Sequence, residues 1–438
     1  MPAPDPIAQL LAGTYPDPDT GELLGAQART VAIEASLVGS EDERIAELGV
    51  VERGGQVAVV SDAQTHGVLG ARIERALAGR FAVQSIVLPA GVHADDATVA
   101  RLVDALRPTT ELVVAVGSGT LNDLTKMAAF TLDRPQAVFA TAPSMNGYTS
   151  LSASITTGGV KTSFRTRTPL GVFFDLEVLA AAPPRLIRAG LGDSACHATA
   201  HADWLLSHLL LDRPFRRAPF ALLAADERDL LAHSAALLAG DLDVMRHLVR
   251  TLVLSGFGMT ICNGSYPASQ GEHLLSHYIE MMRGPDVPES YHGEQIAVCT
   301  TAMAALQHRI LERDTPPVLA PSARITREQV VAHFGPVMGP ICWADFEHKR
   351  LDAAATDALN ARLARDWQEI RRRVTGVGVA PAKLRASLEA AGAPVEPAQL
   401  GWPDALWADA LAHAREIRNR YTVLDVLADD ASIGCGFQ

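Results

Sequence analysis

Near residue 180 the chain changes its hydrophobic period, and that change constrains the fold more than any other feature. Before it, short β-branched runs at 57–61, 85–88 and 112–116 alternate with amphipathic stretches at 68–77 and 97–106. Strand, helix, strand at this spacing predicts βαβ units sharing a parallel sheet. After it the sequence is rich in Ala and Leu with a period near 3.6, at 222–238, 354–374 and 407–420, which predicts helices. Pro183-Pro184 marks the change, and Pro316, Pro317 and Pro321 mark a loop within the helical half. The expected plan is an irregular N-terminal extension over 1–30, an α/β domain over 31–182 and an all-α domain over 183–438.

Composition narrows the function classes. A chain of 438 residues, 48% hydrophobic, can bury two cores of ordinary size. Its formal net charge of −12 argues against a polyanion-binding surface, so nucleic acid is not an expected partner. The five cysteines are scattered without a CxxC spacing, which fits a reducing cytoplasm better than a disulfide framework. The start, Met1-Pro-Ala-Pro-Asp-Pro6, has no signal-peptide pattern, and no run reaches the roughly 20 apolar residues of a membrane span. A cytoplasmic enzyme acting on a small molecule is expected, and the apolar helical half is compatible with a homodimer.

Two glycine-containing turns follow predicted strands. Gly117-Ser118-Gly119-Thr120, with Asp123 three residues on, closes the strand at 112–116 and opens a helix. Glycines there let a pyrophosphate approach the backbone, and the helix N-terminus offers N–H groups to it. The spacing is not GxGxxG, so a plain tight turn stays open as the alternative. Lys126 on that helix reads as a solvated charge. The second turn runs from Thr141 through Ser144 and Asn146 to Ser150, small and polar after an apolar strand, as a ligand-binding loop or a surface connection would be.

Metal-ligand chemistry concentrates in the helical half. His273 and His277 stand four residues apart, so a helix would aim both imidazoles to one side, and His292 follows 15 residues after His277. Asp193, His197 and His201 form a second set at helical spacing, with Asp193 at or near a helix N-cap. A carboxylate with two or three imidazoles suits zinc, iron or nickel.

Taken in order, Gly117-Ser-Gly-Thr with Asp123, Thr141-Ala-Pro-Ser-Met-Asn-Gly147, Gly192-Asp193, Asp203-Trp204, Pro267-Ala-Ser-Gln-Gly-Glu-His273, His277 and His292-Gly-Glu294 resemble the glycerol-1-phosphate dehydrogenase family. That family lies within the group of iron-containing alcohol dehydrogenases, glycerol dehydrogenases and dehydroquinate synthases. The resemblance implies a dehydroquinate synthase-like fold, with an α/β nucleotide-binding domain before an all-α domain. It further implies NAD or NADP, one divalent metal, and hydride transfer between dihydroxyacetone phosphate and sn-glycerol 1-phosphate. Asp193, His273 and His292 would be the metal ligands, with His197 open as a fourth, and His277 would relay a proton. Gly117, Ser118, Gly119, Thr120 and Asp123 would line the pyrophosphate, Thr141, Ser144 and Asn146 would flank nicotinamide and substrate, and Asp62 would approach the adenosine side.

Three positions depart from the family pattern. Asn146 stands where an Asp is usual, and His197 occurs where these dehydrogenases tend to have none. Tyr266 stands where an Arg is usual, with Gln270 in place of Gly. If that Arg holds a phosphate, its loss removes a charge-assisted bond of about 1.5–3 kcal/mol. Two other readings therefore stand beside the first: a dehydroquinate synthase-like cyclase that reduces and reoxidises NAD within one cycle, and a dehydrogenase of an unphosphorylated polyol or alcohol.

Overall fold

The computed structural model describes residues 4–158 and 160–432. Six parallel strands form one sheet: β1 (Thr30–Glu34), β2 (Gln56–Asp62), β3 (Ala82–Leu88), β4 (Leu112–Gly117), β5 (Gln136–Ala140) and β6 (Gly171–Asp175), in the order β1-β6-β5-β4-β2-β3. Every residue of β4, β5 and β6 is buried, as a parallel sheet covered on both faces requires. Alternate residues feed two cores. Val57, Val59, Val114 and Phe139 pack with Ile73 and Leu77 of α1 (Ala71–Ala78) on one face. Ala58, Val60 and Val113 pack on the other with α2 (Asp96–Ala105) and α3 (Gly119–Thr131), through Val99, Leu102, Leu121 and Leu124. The strands and helices predicted before residue 180 are thus present, with ends shifted by a few residues.

The chain divides into two compact units, Met1–Ser194 with Arg217–Gly264, and Ala195–Arg216 with Ser265–Gln438. This differs from the single boundary expected at 182. The helices α6 (Ala218–His233) and α7 (Leu242–Ile261) pack on each other and belong with the sheet: the Arg246 guanidinium donates to the Ile33 carbonyl, and the Val253 carbonyl accepts from Thr149 Oγ1 at 2.7 Å. Helical periodicity reports that a segment is a helix, not which core receives it. The N-terminal residues are likewise more ordered than an irregular extension. Asp5 caps a short helix over Pro6–Leu11 that buries Ile7 and Leu10, and Tyr15–Pro16 pairs with Leu23–Leu24.

Among its described residues the second unit is helical, apart from loops and one isolated β-bridge. Its core gathers Leu205, Leu275, Ile279, Val298, Met303, Leu363, Trp367 and Leu424 from α5 (His197–Leu211), α8 (Gly271–Met282), α9 (His292–Leu311), α11 (Ala353–Thr375) and α12 (Val423–Asp429). Between α9 and α11, α10 (Arg327–Glu347) is broken at Gly335, whose φ of 78° precedes Pro336. Among the described residues no helix is long and apolar enough to cross a membrane.

Candidate active site

The strand order sets a switch point, the position at which open parallel sheets hold ligands. After β2 the chain moves outward to β3, then returns across β2 to form β4, so the direction of winding reverses between β2 and β4. At the carboxyl ends of these two strands lie Asp62 and Gly117. Asp62 caps the helical turn that follows, its Oδ1 accepting from the N–H groups of Gln64 and Thr65 at 2.9 and 2.7 Å. Gly117 is needed for packing, because a Cβ there would lie 2.4 Å from Leu121 Cδ1. Ser118 stands at the N-cap of α3 without a side-chain capping bond, and Gly119 and Thr120 form the first turn. Asp123 Oδ2 accepts from the Ser154 N–H at 3.0 Å, which ties α3 to the antiparallel hairpin of Ser152–Thr157 and Val160–Arg165.

The turn at 141–150 is a braced loop, not a solvent-exposed connection. Thr141 is buried, Ser144 and Asn146 are half-buried, and Tyr148 is fully buried with its hydroxyl donating to the Ala142 carbonyl at 2.6 Å. Two helices press on its backbone through glycines. A Cβ on Gly190 would sit 1.6 Å from the Pro143 carbonyl oxygen, and one on Gly256 would sit 2.1 Å from Thr149 Oγ1. Lys126, expected as a solvated charge, instead lies beneath the loop, 2% exposed, with Nζ donating to the carbonyls of Gly147, Ser150 and Ser152 at 3.1, 3.2 and 3.1 Å. Burial lowers its pKa to about 8, partly offset by Asp123. Held this way, the loop leaves the Asn146 Nδ2 buried without an acceptor among the described residues. Nothing local in the sequence distinguishes such a lysine from an exposed one.

Asp193 is not an N-cap. The helix α4 (Pro184–Ala195) begins nine residues earlier, so Asp193 occupies its last turn, where Oδ2 accepts the Asn146 N–H at 2.7 Å. Only Cys196, with right-handed helical dihedrals, separates α4 from α5, which starts at His197.

The helical unit brings three imidazoles together. His273 and His277 project from α8 and His292 starts α9, with ring centroids 5.1 Å apart for His273 and His292, 5.8 Å for His273 and His277, and 5.7 Å for His277 and His292. The Nε2 atoms of His273 and His292 face one another at 3.3 Å. Ser276 Oγ donates to Gln295 Oε1 at 2.7 Å and so locks α8 to α9. His273 Nδ1 donates to Glu272 Oε1 at 2.9 Å, which fixes its N–H on Nδ1 and leaves the Nε2 lone pair outward. Burial, then the neighbouring His277 and Arg420, hold His273 well below the usual imidazole range, so it is neutral and able to ligate. Glu272 is itself anchored by the Gln270 N–H at 2.7 Å and Thr199 Oγ1 at 3.1 Å. The half-buried His277 donates from Nδ1 to Glu280 at 3.3 Å.

Among the described residues, Asp193, His273 and His292 form the group whose ligand atoms all lie within 4.8 Å of one another and could hold a metal ion. One carboxylate oxygen and two imidazole nitrogens are a fitting donor set for a divalent transition ion. His197, open as a fourth ligand, and His277 are outside that group.

Sequence reasoning missed Glu272, although it stands inside the quoted motif, and missed what surrounds Tyr266. The Arg420 guanidinium lies over the Tyr266 ring at 4.1 Å, and Trp204 stacks with the same ring at 5.8 Å and 21°. Arg420 lies within the closing 418–425 segment, but its pairing with residue 266 is a long-range contact that no local pattern signals.

Comparison with known proteins bears on the family and the fold. The family model described as iron-containing alcohol dehydrogenase matches residues 33–183. Among solved structures, a probable glycerol dehydrogenase from Sinorhizobium meliloti aligns over 92% of this chain and 97% of its own, with TM-score 0.57 and 17% identity. A sulfoacetaldehyde reductase from Bifidobacterium kashiwanohense, solved with NAD+, aligns over 91% and 95%, with TM-score 0.59 and 14% identity. The fold is that of the iron-containing alcohol dehydrogenase class. A glycerol-1-phosphate dehydrogenase [NAD(P)+] of Halalkalibacterium halodurans is 30% identical over 375 residues, 84% of this chain and 85% of that protein. Another from Bacillus subtilis is 32% identical over 274 residues, 61% and 70% of the two chains. The chain belongs to the glycerol-1-phosphate dehydrogenase family.

Proposed function

We propose that this protein is a metal-dependent NAD(P)-linked dehydrogenase that interconverts dihydroxyacetone phosphate and sn-glycerol 1-phosphate. The observation that carries the reading is the Asp193, His273 and His292 donor group in a chain 30% identical to a glycerol-1-phosphate dehydrogenase over most of its length. When bound, the cation supplies Lewis acidity at the substrate oxygen and the nicotinamide supplies or accepts the hydride.

The protein's own groups do the positioning. Glu272 orients His273, and the Asn146 N–H orients Asp193. His277 delivers the proton that accompanies hydride in the reducing direction, with Glu280 on its Nδ1. The buried Nδ2 of Asn146 donates to a substrate hydroxyl, a neutral contact at this position. Thr141 and Ser144 flank the nicotinamide. Gly117, Ser118, Gly119 and Thr120 receive the pyrophosphate at the N-terminus of α3, with Asp123 holding that helix to its hairpin, and Asp62 faces the adenosine ribose. The enzyme works in the cytoplasm as a homodimer, a state that light scattering would measure.

The test is NAD(P)H absorbance with dihydroxyacetone phosphate, dihydroxyacetone, glycerol and simple aldehydes, on chelated protein resupplied with zinc, iron or nickel. Metal-restored oxidation of NAD(P)H with the phosphate substrate is expected. Turnover of only the unphosphorylated compounds would overturn the substrate assignment. Activity without net change in NAD(P)H would favour the cyclase.

A further inference from the structure

We propose that Arg420, laid across Tyr266 and pinned by Ser265 and Ser269, grips the phosphate of the substrate and makes the enzyme prefer a phosphorylated ketone. The inference rests on the function proposed above and names the residue that sets its substrate class.

A phosphate monoester needs a cation with N–H donors fixed in place. From Asn263 to Met282, the segment that leads into α8 and carries His273 and His277, the sequence contains no Lys or Arg. Arg283, next along, donates to the Val287 carbonyl and pairs with Glu289, and the surface around it also holds Glu280. Two carboxylates make that neighbourhood unfavourable for a dianion. Arg420 reaches the loop before α8 from a distant part of the chain. Its Nη1 donates to the Ser269 carbonyl at 2.5 Å and its Nη2 to Ser265 Oγ at 3.0 Å. Ser269 is four residues before His273, and the Arg420 charge is felt by both His273 and Glu272.

The arrangement fixes the guanidinium without neutralising it. Trp204 and Arg420 both pack against the Tyr266 ring. Gln270 Nε2 donates to the Tyr266 carbonyl at 2.8 Å, and Lys349, itself paired with Asp425, donates to the Arg420 carbonyl. By contrast Lys349 pairs with Asp425 of the closing segment, and just outside it Arg313 meets Asp430 while Arg324 and Arg415 meet Asp429. Among the described residues no carboxylate lies within ion-pair distance of Arg420. Ser265 and Ser269 use two of its five N–H donors, and the residue as a whole is half-buried beside Tyr266, which is 44% exposed, leaving three donors for an incoming anion. Burial lowers the guanidinium pKa to about 10, so it stays cationic near neutral pH.

The experiment compares kcat/KM for dihydroxyacetone phosphate and for dihydroxyacetone in wild type, Arg420→Gln, Arg420→Lys and Tyr266→Leu, with KM for NADH and NADPH measured alongside. Arg420→Gln is expected to lower the phosphate-to-ketone preference about ten- to a hundredfold, chiefly through KM. Arg420→Lys should recover part of that, as a point charge without the fork, and Tyr266→Leu should lose less while keeping both serine anchors. Protection by inorganic phosphate against thermal unfolding should be present in wild type and weakened in Arg420→Gln. An equal loss on both substrates, with phosphate protection unchanged, would overturn the proposal. A rise confined to the KM for a cofactor would overturn it too, by assigning the cation to the nucleotide's phosphate. If wild type ignores dihydroxyacetone phosphate the functional reading fails, and the phosphate-protection arm alone still decides whether Arg420 holds an anion.

Discussion

The two units hold their candidate site residues by opposite means. In the α/β unit the positions that matter are backbone positions: strand ends, a helix N-terminus, and a loop pressed so closely by α4 and α7 that only glycine fits at 190 and 256. In the helical unit they are side chains, and His273 is held by a chain of buried side chains from Thr199 to Glu272. The first construction should be sensitive to added atoms and the second to deleted polar groups.

The largest expected effect tests the second. Ala at His273 or His292 should abolish bound metal and lower kcat at least about a thousandfold, and for His292, which is only part-buried and sits at a helix start, thermal unfolding should change little. Full metal content by elemental analysis would break the assignment. Gly190→Ala tests the first: a Cβ 1.6 Å from a carbonyl oxygen cannot be accommodated, and urea denaturation should show a loss of more than about 3 kcal/mol. A loss below 1 kcal/mol would mean that α4 can shift and that the loop is not rigidly clamped. Glu272→Gln should weaken metal affinity about ten- to a hundredfold by loosening the His273 ring, and unchanged affinity would deny that orientation matters here.

Lys126→Met sharpens the comparison, because it removes a polar group from the unit governed by backbone packing. Losing the donor to three carbonyls should cost about 2 kcal/mol near neutral pH. The folded pKa of Lys126, about 8, lies below its ordinary 10.5, so between these values the unfolded chain binds more protons and wild-type stability must rise with pH relative to the variant. Parallel stability curves across pH 8–10.5 would show that the ammonium is not desolvated.

Legibility followed the same division. The strands, the Gly117 turn and the histidine helix could be read from the sequence because each depends on neighbours within a few residues. The 182 boundary differed from the observed division because α6 and α7 owe their place to contacts with Ile33 and Thr149, far away in the chain. Asp193 looked like a cap because its spacing to His197 is helical, but the helix already runs from Pro184. Arg420 and Lys126 stayed invisible because their partners are backbone carbonyls, a serine hydroxyl and an aromatic face, none of which leaves a charge pattern.

The braced loop at 141–150 separates shape from reactivity. Its path is set chiefly by Gly190, Gly256 and Lys126, which touch it from outside, while the Asn146 Nδ2 that it carries makes no hydrogen bond among the described residues. Such a scaffold can exchange an amide for an acid at 146 without redrawing the cavity, so new substrates can be sampled by single replacements while the architecture stays still.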